Sequence, residues 1–206
     1  MVIIGLTGGI ATGKSTVAAM LEERGAAIVD ADELAHAVAQ PGQAAFDAIV
    51  ARFGSDILLP DGTLDRAHLA RIVFADEAAR RELEAITHPR VRELIAERVR
   101  EAIKAGAEVV VVDIPLLFES GRDSQFAGVL VVYASPDVQL LRLRERSGLD
   151  DDEARARLAA QLPIDEKKAR ATWVIDNSGS RSSTRDQVSR WWEEVIAHGS
   201  GAARQG

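Results

Sequence analysis

The chain has 206 residues, 47 % apolar and 28 % charged, with a net charge of −7 and no cysteine. That length fits one main domain with room for an inserted subdomain. The negative balance argues against a nucleic-acid partner, and the lack of cysteine excludes disulfides, thiolate catalysis and cysteine-held metals.

Residues 2–6 form an apolar burst running into glycines, as a buried parallel strand does. KSTVAAMLEERG follows, with Val17, Met20 and Leu21 at helical spacing and Gly25 as a stop. AAIVDAD reads as a second strand ending in carboxylates, EVVVVD at 108–113 as a third, GVLVVY at 128–133 as a fourth and WVIDN at 173–177 as a fifth. Continuous apolar strands separated by helices predict an α/β fold with a parallel sheet covered on both faces.

More than 70 residues without strand character separate the second and third strands, and their pattern predicts helices near 32–39, 42–53, 65–74, 77–85 and 89–105. PDGT at 60–63 supplies a turn, and Pro89 fits an early helical position after His88. So long an excursion reads as an insert facing the strand ends, where α/β sheets bind ligands. No apolar run approaches the ~20 residues of a membrane span, and the opening MVIIGLTGG does not read as a signal peptide, so no membrane and a cytoplasmic location are expected. The polar end at 199–206 reads as a flexible tail, and Trp191 and Trp192 of the last helix read as core or edge packing, with an interface anchor as the alternative.

Gly8, four residues, then Gly13-Lys14-Ser15 complete the phosphate-loop pattern, with a strand before and a helix after. Glycines such as Gly8 and Gly9 let the backbone curl until its amides converge on phosphate, and the helix start adds partial positive charge. Lys14 is expected to reach the β- and γ-phosphates, Ser15 to help hold magnesium, and Thr16 to offer a hydroxyl near the α-phosphate. Ala11 and Thr12 contribute backbone amides. The chain lacks both the Asn-Lys-x-Asp base reader of guanine switches and the Ser-Gly-Gly signature of transporter ATPases.

A kinase needs a carboxylate to orient the acceptor hydroxyl and take its proton, and Asp32 in VDADELAH is a candidate. Asp32 could equally cap the next helix, and Asp30 could organise the phosphate or magnesium region. Asp113 ends the third strand as a second phosphate-loop motif does, which suits magnesium. Leu116, Leu117 and Phe118 either pack in the core or line a ligand wall. Arg142 and Arg146 share a helical face within 142–170, a stretch that reads either as ordinary charged surface or as a lid that excludes water.

GLTGGIATGKST, VDADELAH, DGTLDRAHLARIVF, THP at 87–89, DIPLLFE, LPIDEKKARA and VIDNSG, in this order and spacing, resemble the dephospho-coenzyme A kinase family over nearly the whole chain. The resemblance implies a phosphate-loop kinase fold: a five-stranded parallel sheet flanked by helices, with a helical substrate-binding insert and a lid. It implies a core at 1–31, 107–141 and 172–198, a substrate region at 32–106 and a lid at 142–171. The implied reaction is phosphorylation of the ribose 3′-hydroxyl of dephospho-CoA by ATP and magnesium. The implied roles are Asp32 as base, 11–16 as the ATP loop, and Arg142 and Arg146 as lid arginines, with Asn177 near the base. His36, His88 and the PLLFE residues through Glu119 fall on the acceptor side. Ala11-Thr12 departs from the family's usual Gly-Ser, and Thr172-Trp173 from its Ala-Asp pattern before the last strand. A monomer or weak homo-oligomer is expected. Another nucleotide kinase, or a regulatory protein that binds ATP without transferring phosphate, remain the alternatives.

Overall fold

The computed structural model describes residues 1–202. They divide into two compact units, one built from Met1–Val29 and the chain from Glu101 onward, the other from Asp30–Arg100.

The first unit centres on strands β1 (Val2–Gly8), β2 (Ala27–Asp30), β3 (Val109–Asp113), β4 (Gly128–Tyr133) and β5 (Trp173–Asp176), ordered β2-β3-β1-β4-β5. The ladders β1–β3, β1–β4 and β4–β5 are parallel, with Leu6 opposite Asp113 and Gly8 opposite Val132. Every residue of β3 is buried, as a strand covered on both faces requires. One face carries Ile4, Leu6, Leu130 and Val132 against helices α1 (Lys14–Glu22) and α9 (Arg181–Ala202). Trp191 joins that core and meets Trp173 edge to face at 5.9 Å. A side chain at Gly5 would come within 2.8 Å of Leu117, so the missing Cβ lets Leu117 lie on the sheet. Helices α6 (Pro136–Ser147), α7 (Asp151–Ala159) and α8 (Ile164–Arg170) precede β5. The tail expected at 199–206 overlaps the end of α9 and otherwise, at 203–206, lies outside the described residues.

The second unit is helical: α2 (Ala31–Val38), α3 (Ala44–Phe53), α4 (Arg66–Ala75) and α5 (Glu77–Lys104), the last ending among residues of the first unit. Its core gathers Ala39, Ile49, Ile57, Leu64 and Leu69. The expected turn at 60–63 is present, with Gly62 at φ 82° and an Asp61 carboxylate that accepts from the Thr63 hydroxyl at 2.6 Å and its amide at 2.9 Å. Those bonds hold the Asp61 carboxyl below its ordinary pKa. The break expected before Pro89 does not occur, and α5 runs through it. A proline inside a helix removes one bond, but Leu83 and Ile86 pack on the core ahead of it and Val91 and Ile95 are buried beyond it, so burial on both sides offsets that loss. Among the described residues no helix is long and apolar enough to cross a membrane.

Candidate active site

β1 ends in the buried Gly8, and α1 begins at Lys14 with Gly13 as its N-terminal flank at φ 85°. No side chain caps α1 and no acidic residue occupies its first turn, so its partial positive charge is not neutralised locally. A Cβ on Gly13 would overlap the Asn177 amide, and one on Gly8 would lie 2.8 Å from the Val132 carbonyl oxygen. Both positions therefore require glycine. Among the described residues Ala11 is the non-glycine residue at positive φ, 59°, a conformation its Cβ makes costly. The buried Thr12 turns its hydroxyl inward, donating to the Gly9 carbonyl at 2.9 Å.

Side chains from distant elements hold the loop's backbone. Asn177 Nδ2 donates to Thr12 O at 2.7 Å, while Asn177 Oδ1 accepts from the Thr184 hydroxyl at 2.8 Å. Arg142 donates to Asn177 O at 2.8 Å and to Thr12 O at 3.5 Å. Gln139 donates to Ile10 O at 2.6 Å, and Gln161 accepts from Ile10 N at 2.9 Å. The structure thus brings Arg142 and Asn177 onto the loop, whereas Arg146, one turn further along α6, is exposed. Gln139, Gln161 and Thr184 were not singled out by sequence reasoning. All three are neutral; Gln139 and Gln161 find their partner at Ile10, far away in the chain, whereas Thr184 bonds the nearby Asn177 and reaches the loop through it.

The Lys14 ammonium pairs with the Asp113 carboxylate, which is 3 % exposed. Ser15 is exposed and Thr16 half-buried. Beyond Asp113, Thr7 donates its hydroxyl to Pro115 O at 2.9 Å. Leu116 is exposed, while Leu117 and Phe118 are buried, which resolves the apolar trio into one solvent-facing side chain and two core ones. The Glu119 carboxylate accepts from Leu162 N at 3.1 Å and from the Lys167 ammonium at 2.7 Å. Helix α8 is fastened by its basic residues: the Lys168 ammonium lies 4.3 Å from the Tyr133 ring centre, and the Arg170 guanidinium 4.4 Å from that of Phe118. Burial, followed by a hydrogen bond to Asp165, raises the pKa of the Tyr133 phenol.

In the second unit Asp30, not Asp32, caps α2, accepting from Asp32 N at 2.8 Å and from Glu33 N at 3.1 Å. Asp32 is exposed in the first helical turn, and its carboxylate is not spent on capping. His36 lies in the last turn of α2, its carbonyl accepting from Arg66 at 3.3 Å, and His88 is exposed on α5.

A curled glycine loop between a parallel strand and a helix, with a lysine at the helix start paired to the aspartate of the neighbouring strand, is a nucleotide-phosphate cradle. The family model of dephospho-CoA kinase (CoaE) matches residues 2–183. The chain belongs to the dephospho-CoA kinase family. It is 53 % identical to the dephospho-CoA kinase of Symbiobacterium thermophilum over 93 % of this chain and 80 % of that one. To the dephospho-CoA kinase of Geobacter metallireducens it is 52 % identical, over 95 % and 98 %. Among solved structures, a Thermus thermophilus protein superposes with a TM-score of 0.80 at 38 % identity, covering 96 % of this chain and 97 % of the other. The dephospho-CoA kinase of Campylobacter jejuni superposes at 0.71 with 31 % identity, covering 94 % and 96 %. Membership of the dephospho-CoA kinase family makes the chain a phosphotransferase with a phosphate-loop kinase core.

The resemblance implies magnesium, and the oxygen donors present fit it. Among the described residues no cluster of three or more His, Cys, Asp or Glu could hold a metal ion. Magnesium beside a nucleotide needs none, since it keeps waters and substrate phosphates and takes one or two protein oxygens. The Ser15 hydroxyl, at the start of α1, and the Asp113 carboxylate, paired to Lys14 beside it, are oxygen donors of that kind.

Proposed function

We propose that the chain transfers the γ-phosphoryl group of ATP to the ribose 3′-hydroxyl of dephospho-CoA, giving CoA and ADP, in the cytoplasm. The observation that carries this reading is the braced loop at 8–16, with Lys14 joined to Asp113 and the Arg142–Asn177 pair bonded to Thr12 O.

In the reaction, the loop amides and the start of α1 hold the phosphates, and Lys14 exchanges Asp113 for the β- and γ-phosphate oxygens. Ser15 and Asp113 would hold magnesium, which would supply neutralisation of the phosphate charge. Asp32 orients the acceptor hydroxyl; as the O–P bond forms and the bond to the ADP oxygen breaks, the hydroxyl proton passes to its carboxylate. Arg142 and Arg146 stabilise the charge that spreads over the transferring group, and the segment 142–171 excludes water that would otherwise compete with the acceptor. Asn177 borders the nucleotide. His36, His88, Leu116 and Glu119 serve the acceptor, with Leu117 and Phe118 supporting that wall from the core side.

The test supplies purified chain with γ-labelled ATP and a panel of acceptors. Label transferred to dephospho-CoA alone supports the proposal. Transfer to a different nucleotide in preference would make it another nucleotide kinase, and nucleotide binding without transfer would make it a regulatory ATP-binding protein.

A further inference from the structure

Among the described residues Lys167 is the lysine or arginine that is buried, at 0 % exposure. It sits on α8, in a run of charged residues that reads as a solvated face. Its Nζ donates to Gly8 O at 3.3 Å, to Pro115 O at 3.3 Å and to Glu119 Oε1 at 2.7 Å. An ammonium has three donors, and all three are matched.

The two carbonyls define what this residue does. Gly8 is the last residue of β1 and opens the phosphate loop, while Pro115 follows Asp113 at the end of β3. The two strands are neighbours, paired Leu6 to Asp113. Beyond that pair and the bond from Ile114 N to Leu6 O at 2.9 Å, the β1–β3 ladder ends while β1 runs on against β4 to Gly8, so ladder hydrogen bonds no longer set the distance between Gly8 and Pro115. Lys167 spans the gap, on the same Pro115 carbonyl that Thr7 holds from β1. Filling space does not explain an ammonium here, because an apolar side chain of similar length would fill the site without the cost of desolvating a charge. Two divergent carbonyls, however, need a donor that serves both.

We propose that Lys167 is a positioning residue for phosphoryl transfer: by bonding the Gly8 and Pro115 carbonyls together it sets the spacing between the phosphate loop and Asp113. It touches no reacting atom. The inference rests on the phosphoryl-transfer reading, since Lys14 and Asp113 are the groups whose relative placement it controls. Misplacement of such groups by about an ångström can cost on the order of 100-fold in rate while leaving affinity largely intact.

Initial rates with ATP and dephospho-CoA are measured for the parent, Lys167→Met and Lys167→Gln, with circular dichroism to establish folding. In the folded variants the KM for ATP is expected to stay within about threefold of the parent while kcat falls at least about tenfold, the signature of lost transition-state alignment rather than lost binding. A smaller fall in kcat, or a loss confined to KM, overturns the inference. If Lys167→Met does not fold, Lys167→Gln carries the same comparison, and failure of both to fold would assign the residue to stability alone and overturn it likewise. An inactive parent refutes the phosphoryl-transfer reading and the inference with it, whereas an active parent beside fully active variants refutes the inference alone.

Discussion

At φ 59° the backbone of Ala11 occupies a region that glycine enters freely and alanine does not. The strain is roughly 1–2 kcal/mol, against which a glycine there adds about 0.4–1 kcal/mol of unfolded-state entropy. Ala11→Gly is therefore expected to stabilise the fold by up to about 1 kcal/mol and to raise the thermal midpoint by roughly 1–4 °C. A calorimetric midpoint that is unchanged or lower would contradict the strain argument. Asp32 belongs to the same scale. The structure gives the capping work to Asp30 and leaves the Asp32 carboxylate exposed in the first turn of α2. Asp32→Ala should bind both substrates yet turn over about 100-fold more slowly or worse, the usual contribution of a positioned base. Near-parental kcat, read by coupled ADP detection, would remove Asp32 from the mechanism.

Elements depend on their ends. The Asp30 side chain satisfies two amides at the start of α2, so Asp30→Ala should lower stability by about 1 kcal/mol in chemical denaturation, with the helix start frayed next to Asp32. No change in the unfolding midpoint would show that the cap is dispensable. Helix α8 offers a second handle, because Tyr133 is the chain's one tyrosine and it hydrogen-bonds Asp165 at the start of α8. Its raised pKa means that the folded state keeps the phenol proton to higher pH than the unfolded chain does. The stabilisation is complete below the unfolded-state pKa and fades as pH climbs through the folded-state value. Absorbance titration of tyrosinate should thus give a midpoint above that of free tyrosine, lowered by Asp165→Asn. A midpoint equal to free tyrosine's would mean that α8 does not shield the ring.

For the molecule as a whole, the parallel sheet was legible because its strands are buried on both faces and so appear as unbroken apolar runs, VVVV in β3 above all. The phosphate loop was legible because its backbone tolerates only certain residues: Gly13 stands where any side chain would strike Asn177. What escaped was set by tertiary contact. Lys167 looks like one of a charged pair on a short helix, and only its partners at Gly8 and Pro115 reveal a buried brace. The continuity of α5 through Pro89 was hidden for the same reason, since the local rule says break and the burial of side chains on both sides says otherwise.

The most direct test of the whole account is the identity of the product. Phosphorus NMR of the purified chain incubated with ATP, magnesium and dephospho-CoA should show ADP and a new ribose 3′-phosphomonoester accumulating in equal amounts. Inorganic phosphate in place of that ester, or an unchanged spectrum, would contradict it.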